Sequence, residues 1–217
     1  GIPASWSPHL IYKNEKYIIY RKAAFRIVTP YLEHPPLFGL VAGSFALLNG
    51  ARDMYHIDLR TIRPLALIFG LASILLVYLL VNELYDPKTA LVSSLLYATI
   101  PTIVIGSRIV QNENFFIPMW LLALFFVSKY LRSKKTVYRT LCAVICGLLI
   151  LAKIPWIAAA GSIILIFMYL KRYRDVFRFL SIVIPIALLY FIYGFYYDSH
   201  LFLNLFGFQL NRYDVGF

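Results

Sequence analysis

The chain has 217 residues, of which 61% are hydrophobic and only 14% charged, and its mean hydropathy is +0.73. A water-soluble domain of this length has neither a need for so much apolar side chain nor the surface to hide it, so the composition excludes a soluble globular protein and indicates a polytopic membrane protein. The formal charge of +11 does not indicate nucleic acid, because Lys and Arg are concentrated in short connectors between apolar runs, where contact with anionic headgroups is use enough.

Residues 1–35 are polar and aromatic, with no initiator Met and no signal-peptide pattern, and read as part of a longer or processed protein. Apolar runs follow at about 36–49, 64–84, 89–106, 115–131, 140–152, 156–170 and 179–195. A membrane span needs roughly 20 residues, so the first run is too short to cross. Pro36 starts it and Asn49-Gly50 stops it, which predicts a juxtamembrane helix lying flat. The other six predict spans, with Lys153-Ile154-Pro155 as a tight break between the fifth and sixth runs near one interface. The predicted architecture is an all-α transmembrane bundle over residues 64–195. Residues 1–63 form an extracytoplasmic loop carrying the helix at 36–49, and residues 196–217 form an extracytoplasmic tail or the start of a next loop.

Charge orients this bundle. With 36–49 flat, the connectors at 85–88, 129–139 and 171–178 share one face. They carry Lys129, Arg132, Lys134, Lys135, Arg139, Lys171, Arg172, Arg174 and Arg178, which marks that face as cytoplasmic. The opposite face then collects all four histidines (His9, His34, His56, His200) and seven of the ten acids. Either a site lies there, or water-facing loops are simply polar. Were 36–49 to span instead, residues 1–35 would change sides.

The most costly feature is the polar knot Ser107-Arg108-Ile109-Val110-Gln111-Asn112-Glu113-Asn114 between two membrane-like segments. Ionisable residues at such a place usually serve a substrate, a proton or an ion. Cys142 and Cys146, at i, i+4 inside one apolar run, read as two buried small hydrophobes rather than a disulfide or metal pair. The 17 Tyr and 17 Phe suit interfacial belts and lipid-facing sides. Asp53-Met54-Tyr55-His56-Ile57-Asp58 reads as a solvated connector or as a sugar contact.

Four motifs occur in order. Leu10-Ile11-Tyr12-Lys13-Asn14-Glu15-Lys16-Tyr17 precedes Tyr31-Leu32-Glu33-His34-Pro35-Pro36-Leu37. Arg60-Thr61-Ile62-Arg63-Pro64-Leu65-Ala66 enters a span that exits at Leu84-Tyr85. Ser107-Arg108 is followed five residues after the Arg by Glu113, and Gly147 leads to Lys153. This ordered set resembles the GT-C superfamily of polytopic glycosyltransferases, in particular the protein O-mannosyltransferase-like branch and the related lipid A aminoarabinose transferases. The likeness runs from about residue 8 to 195, and by this resemblance the first span and the large C-terminal portion of such enzymes are not among these residues.

The resemblance implies an inverting displacement, in which an acceptor hydroxyl attacks the anomeric carbon of a sugar on dolichyl or polyprenyl phosphate. Mannose is the implied sugar, and the acceptor is a protein or glycolipid hydroxyl. Such chemistry needs a carboxylate near the acceptor and fixed cations where phosphate charge develops. Glu15 and Glu113 are the carboxylates; His34, Arg63, Arg108, Lys153 and Arg212 are the donor-binding candidates. One departure bears on this: the family pair is Asp-Glu, and Asn14 stands where the Asp acts as base. An amide is not basic at neutral pH. Three readings follow: Glu15 takes the role, which we favour; the register differs by one; or the protein is catalytically impaired.

Plainer roles stand beside these. Arg63 and Lys153 also suit snorkelling at the interface, Arg108 and Glu113 suit a pair across the turn, and His34 suits a cap on the following helix. A divalent ion on Glu15, His34 and Glu113 is an alternative to a metal-free site, although no local spacing demands one. The rival to an enzyme is a non-catalytic subunit that keeps the scaffold within a membrane complex. A transporter would require paired broken helices, and the sequence contains no internal repeat.

Overall fold

The computed structural model describes residues 32–52 and 57–210, together with the backbone of residues 15–20 and 23–28. Backbone contacts group the chain into two units, one of residues 36–188 and one of residues 1–35 with 189–217.

The larger unit is the helical bundle. α1 (Leu37–Leu48) is the predicted short helix. Its 12 residues reach about 18 Å, against a hydrocarbon core of about 30 Å, so it is too short to span. It ends as the sequence predicts: Asn49 donates its amide to the Phe45 carbonyl at 2.8 Å, and Gly50 takes a positive φ of 92° that a side chain would resist. α2 (Leu59–Leu84) begins five residues before the predicted entry at Pro64. The reason is a capping box: the Asp58 carboxylate accepts from the Leu59 amide at 2.6 Å, and the Thr61 hydroxyl accepts from the Asp58 amide at 3.1 Å. Asp58, read as part of a solvated connector, is therefore a helix cap, and Pro64 is carried inside the second turn.

α3 (Pro87–Thr99) opens under Asp86, whose carboxylate accepts from the Lys88 and Thr89 amides and the Thr89 hydroxyl. Pro101 breaks the run at Ile100 and starts α4 (Pro101–Gly106). α5 (Asn112–Ser133) takes in the second half of the polar knot as its first turn. α6 (Thr136–Ala152), a 3₁₀ turn at Ile154–Trp156 and α7 (Ile157–Tyr169) follow, and α8 begins at Tyr173. α2 packs on α1, α3 and α5, α5 packs on α6, and α6 also contacts α1 and α7.

Three of the six predicted spans lie on helices long and apolar enough to cross a membrane: α2, α5 and α8. The runs at 89–106, 140–152 and 156–170 fall on shorter helices, because Pro101 and Pro155 interrupt them or because connectors cut them. The outer faces of α2 and α3 stay apolar and exposed, as at Leu67, Leu71, Leu91 and Leu95, which suits lipid contact. The architecture is an all-α membrane bundle.

Lipid tails are as apolar as the side chains, so close packing must hold the helices together. The core accordingly places small residues of α5, α6 and α7 (Ala123, Cys142, Ala143, Cys146, Ala159 and Ala160) among larger ones such as Leu149, Ile163, Phe167 and Phe179. Both cysteines are free and buried, as their spacing predicts. Gly147 is required for close approach, since an added Cβ would stand 2.8 Å from the Ile186 Cβ of α8. Aromatic edges complete the layer, with Tyr130, Phe167 and Phe179 meeting edge-on at centroid distances of 6.0 Å.

Contacts between distant residues sort the connectors into two ends. At one, Glu83 meets Lys129 at 2.6 Å and Arg132 at 3.6 Å, and Arg139 meets Asp175 at 2.9 Å. This gathers the connectors around 85, 134 and 172. At the other end, Glu113 meets Lys153. That grouping is the one the charge pattern predicts.

The smaller unit contains an antiparallel hairpin of β1 (Glu15–Tyr20) and β2 (Ala23–Val28), with Glu15 opposite Val28 and Tyr20 opposite Ala23. Tyr17-Ile18-Ile19-Tyr20 and Phe25-Arg26-Ile27-Val28 carry its aromatic and β-branched signal. Within this unit the Tyr190 hydroxyl donates to the Leu32 carbonyl at 2.8 Å. The predicted tail from 196 is helical as far as Leu210, with a break at Asp198 (φ −164°, ψ 100°). The Asp198 carboxylate accepts from the Leu201 amide at 2.9 Å and restarts the helix, and Phe202 packs back against Gly194 and Tyr190.

Candidate functional site

The polar knot is held by its own asparagines. α4 ends at Gly106, and the chain turns through Ser107 to Val110 before α5 starts. Buried Asn114, in the first turn of α5, donates its side-chain amide to the carbonyls of Gly106 and Ile109. The Gly106 carbonyl also accepts from the Ile109 amide at 3.0 Å, so the Asn114 side chain reinforces one turn bond and adds a partner for the Ile109 carbonyl, which fixes the turn. Asn112 makes the long-range staple: its amide donates to the Ala152 carbonyl at 2.8 Å, at the unsatisfied end of α6. Trp156 donates from its indole nitrogen to the Asn112 carbonyl oxygen at 3.4 Å and stacks on Phe116 with centroids 4.0 Å apart.

These staples set the ion pair. Lys153, extended beyond the last turn of α6 (φ −163°, ψ 130°), reaches the Glu113 carboxylate at 2.7 Å, with its ammonium 5.3 Å from the Trp156 ring centroid. The two side chains keep 34% and 45% exposure, so the pair is open to its surroundings. Glu113 also sits in the first turn of α5, where the helix dipole favours a negative charge. Glu113 lines a cavity of about 120 Å³ between α2, α3, α4 and α5; Phe69, Ile103 and Ile117 make most of its wall apolar, and Ser73, Tyr97, Thr102, Ser107 and Gln111 add polar groups.

The predicted site residues separate accordingly. Glu113 and Lys153 come together, which replaces two of the plainer readings. Lys153 is engaged rather than snorkelling, and Glu113 pairs with Lys153 rather than with Arg108. Arg108 and Arg63 are exposed and form no ion pair with a described residue. The arginine misses Glu113 because the helical turn at Asn112 carries the carboxylate toward α6. The cap position of α1 is Pro36, which makes no side-chain bond. His34 is half-buried in the smaller unit beside buried Glu33. Asn14 and Arg212 lie outside the described residues, as does the side chain of Glu15. Among the described residues no three His, Cys, Asp or Glu side chains gather as a metal ion would need.

Asn112, Asn114 and Trp156 are the supports that sequence reading did not assign. Their signal was present in two asparagines flanking the acid and an aromatic next to Pro155.

No curated protein matches the chain, and no solved structure does. Residues 33–197, which include the knot, Glu113 and Lys153, match the family model described as dolichyl-phosphate-mannose-protein mannosyltransferase, and the chain belongs to that family of membrane glycosyltransferases.

Proposed function

We propose that the protein transfers a sugar, mannose, from dolichyl or polyprenyl phosphate to a protein or glycolipid hydroxyl on the extracytoplasmic side of the membrane. The observation that carries this reading is the exposed Glu113–Lys153 pair, its carboxylate on the wall of a small, mainly apolar cavity at one end of an apolar bundle, inside the stretch the family model covers. In this reading a carboxylate takes the acceptor proton as the hydroxyl oxygen bonds to the anomeric carbon, and the bond from that carbon to the phosphate oxygen breaks. The lipid phosphate leaves with its added charge, which needs cations. Glu15 is the proposed base, Glu113 the second carboxylate, held by Lys153, and Arg63 and Arg108 the cations available to phosphate. His34 and Arg212 remain proposed donor contacts, and a divalent ion on Glu15, His34 and Glu113 remains the alternative to a metal-free site.

The test supplies membranes containing the chain with polyprenyl-phosphate-linked labelled mannose, with and without a chelator. Label should appear on protein or glycolipid, and Glu15→Gln and Glu113→Gln should abolish it. Unchanged transfer in both variants would overturn the site. No transfer by the intact protein would favour the second reading, a non-catalytic scaffold subunit. The observation behind that reading is Asn14, an amide where the family has an acid.

A further inference from the structure

The end of the bundle away from Glu113 carries a second polar cluster that sugar transfer does not use. Asp175, in the first turn of α8, receives Arg139 of α6 through Nη1 at 2.9 Å and Arg172 through Nε at 2.9 Å. The Tyr130 hydroxyl of α5 donates to Asp175 Oδ1 at 2.7 Å and accepts from Arg172 Nη2 at 3.2 Å. Both guanidinium groups lie over the Tyr130 ring, at 5.6 Å and 4.8 Å from its centroid. Three side chains, from two helices and one connector, thus close around a single carboxylate.

The charges in this cluster do not balance. Two fixed cations face one anion, and the other acids at this end are engaged elsewhere: Glu83 by Lys129 and Arg132, and Asp86 by the start of α3. The segments 83–88, 129–139 and 171–178 hold ten Lys and Arg against these three acids. Two donors, Arg139 Nε and Arg172 Nη1, are buried with no hydrogen-bond partner, and Arg139 as a whole is only 7% exposed. Buried polar atoms are ordinarily paired, and a guanidinium offers its donors in a planar fork that fits phosphate oxygens. Arg172 keeps 24% of its side chain exposed, so the cluster opens to the membrane interface at this residue.

We infer that Arg139 and Arg172 form a specific binding site for a phosphate group, taken from the headgroup of an anionic lipid or from free phosphate, whose oxygens complete the cluster that Asp175 half neutralises. Binding ties the first turn of α6 to the α7–α8 connector through the ligand.

The full chain in detergent is titrated with short-chain phosphatidic acid, with phosphatidylcholine of the same chains and with inorganic phosphate, and retention is read by native mass spectrometry. Phosphatidic acid should bind at least about tenfold more tightly than phosphatidylcholine, the scale of one lost charged hydrogen bond. Competition by inorganic phosphate at similar concentration would assign the site to free phosphate; its failure would assign it to the lipid. Arg172→Gln should lose the preference, Arg172→Lys should keep part of it, and Lys135→Gln, an exposed cation on the same face, should keep all of it. Equal retention of the two lipids by the native chain, with no retention of inorganic phosphate, would overturn the proposal even if the arginine variants fail to fold. Equal loss in Lys135→Gln would overturn it as well, since diffuse surface charge would then suffice.

Discussion

Replacing Glu113 by Gln separates a structural role from a chemical one. The substitution keeps the volume and removes the charge that Lys153 meets at 2.7 Å. Both partners are more than a third exposed or close to it, at 34% and 45%, and exposed ion pairs contribute about 0–1 kcal/mol. For a domain of this size, that lowers the unfolding midpoint by about 2–4 °C at most. The polar anchors of the turn, Asn112 to Ala152 and Asn114 to Gly106 and Ile109, are untouched. A carboxylate acting on the reacting hydroxyl contributes far more, roughly 10²–10⁴ in rate. Glu113→Gln should therefore unfold within a few degrees of the native protein while labelled-sugar transfer falls at least about a hundredfold. The paired exchange Glu113→Lys with Lys153→Glu restores an ion pair and should not restore transfer. Retention of transfer within about threefold, or recovery in the exchanged protein, would refute the reasoning, because the pair would then be a strut.

Asp175→Ala should be among the most damaging single changes. It strands the buried Arg139 and half-buried Arg172, and breaking a buried pair costs about 3–5 kcal/mol, to be read as lost folded yield and lowered thermal stability in detergent. Gly147→Ala drives a methyl to 2.8 Å from Ile186 and should cost about 1–3 kcal/mol, with Ile186→Ala in the same chain recovering part of the loss. For topology, single cysteines at exposed Arg108 and Lys134 should react with an impermeant maleimide from opposite sides of the membrane, Arg108→Cys from outside. The buried native Cys142 and Cys146 give little background, and labelling of both positions from one side would overturn the orientation.

Much of the bundle was legible in the sequence because hydropathy is a local property. Every apolar run became helical, α1 began at the predicted proline and stopped at Asn49-Gly50, and the basic connectors gathered at one end. Helix starts were less legible, since they depend on a single cap. Asp58 with Thr61 moved the start of α2, and Asn112 drew the acid of the knot into a helix that hydropathy alone begins at Phe115. The hairpin at 15–28 was carried by short aromatic and β-branched runs amid polar neighbours, too brief to outweigh a loop reading.

The sequence by itself determined that this protein lives in a membrane, that its polar residues are divided between two ends, and that Glu113 and Lys153 interrupt apolar stretches where charge is costly. Only the tertiary structure decided which partner each charge takes. Arg108 lies five residues from Glu113 and forms no ion pair with a described residue, whereas Lys153, 40 residues away, makes the bond. The same holds for Arg139 and Asp175, 36 residues apart. Chain proximity cannot choose among such pairings: the choice follows from which helix faces meet in the core that α5, α6, α7 and α8 share.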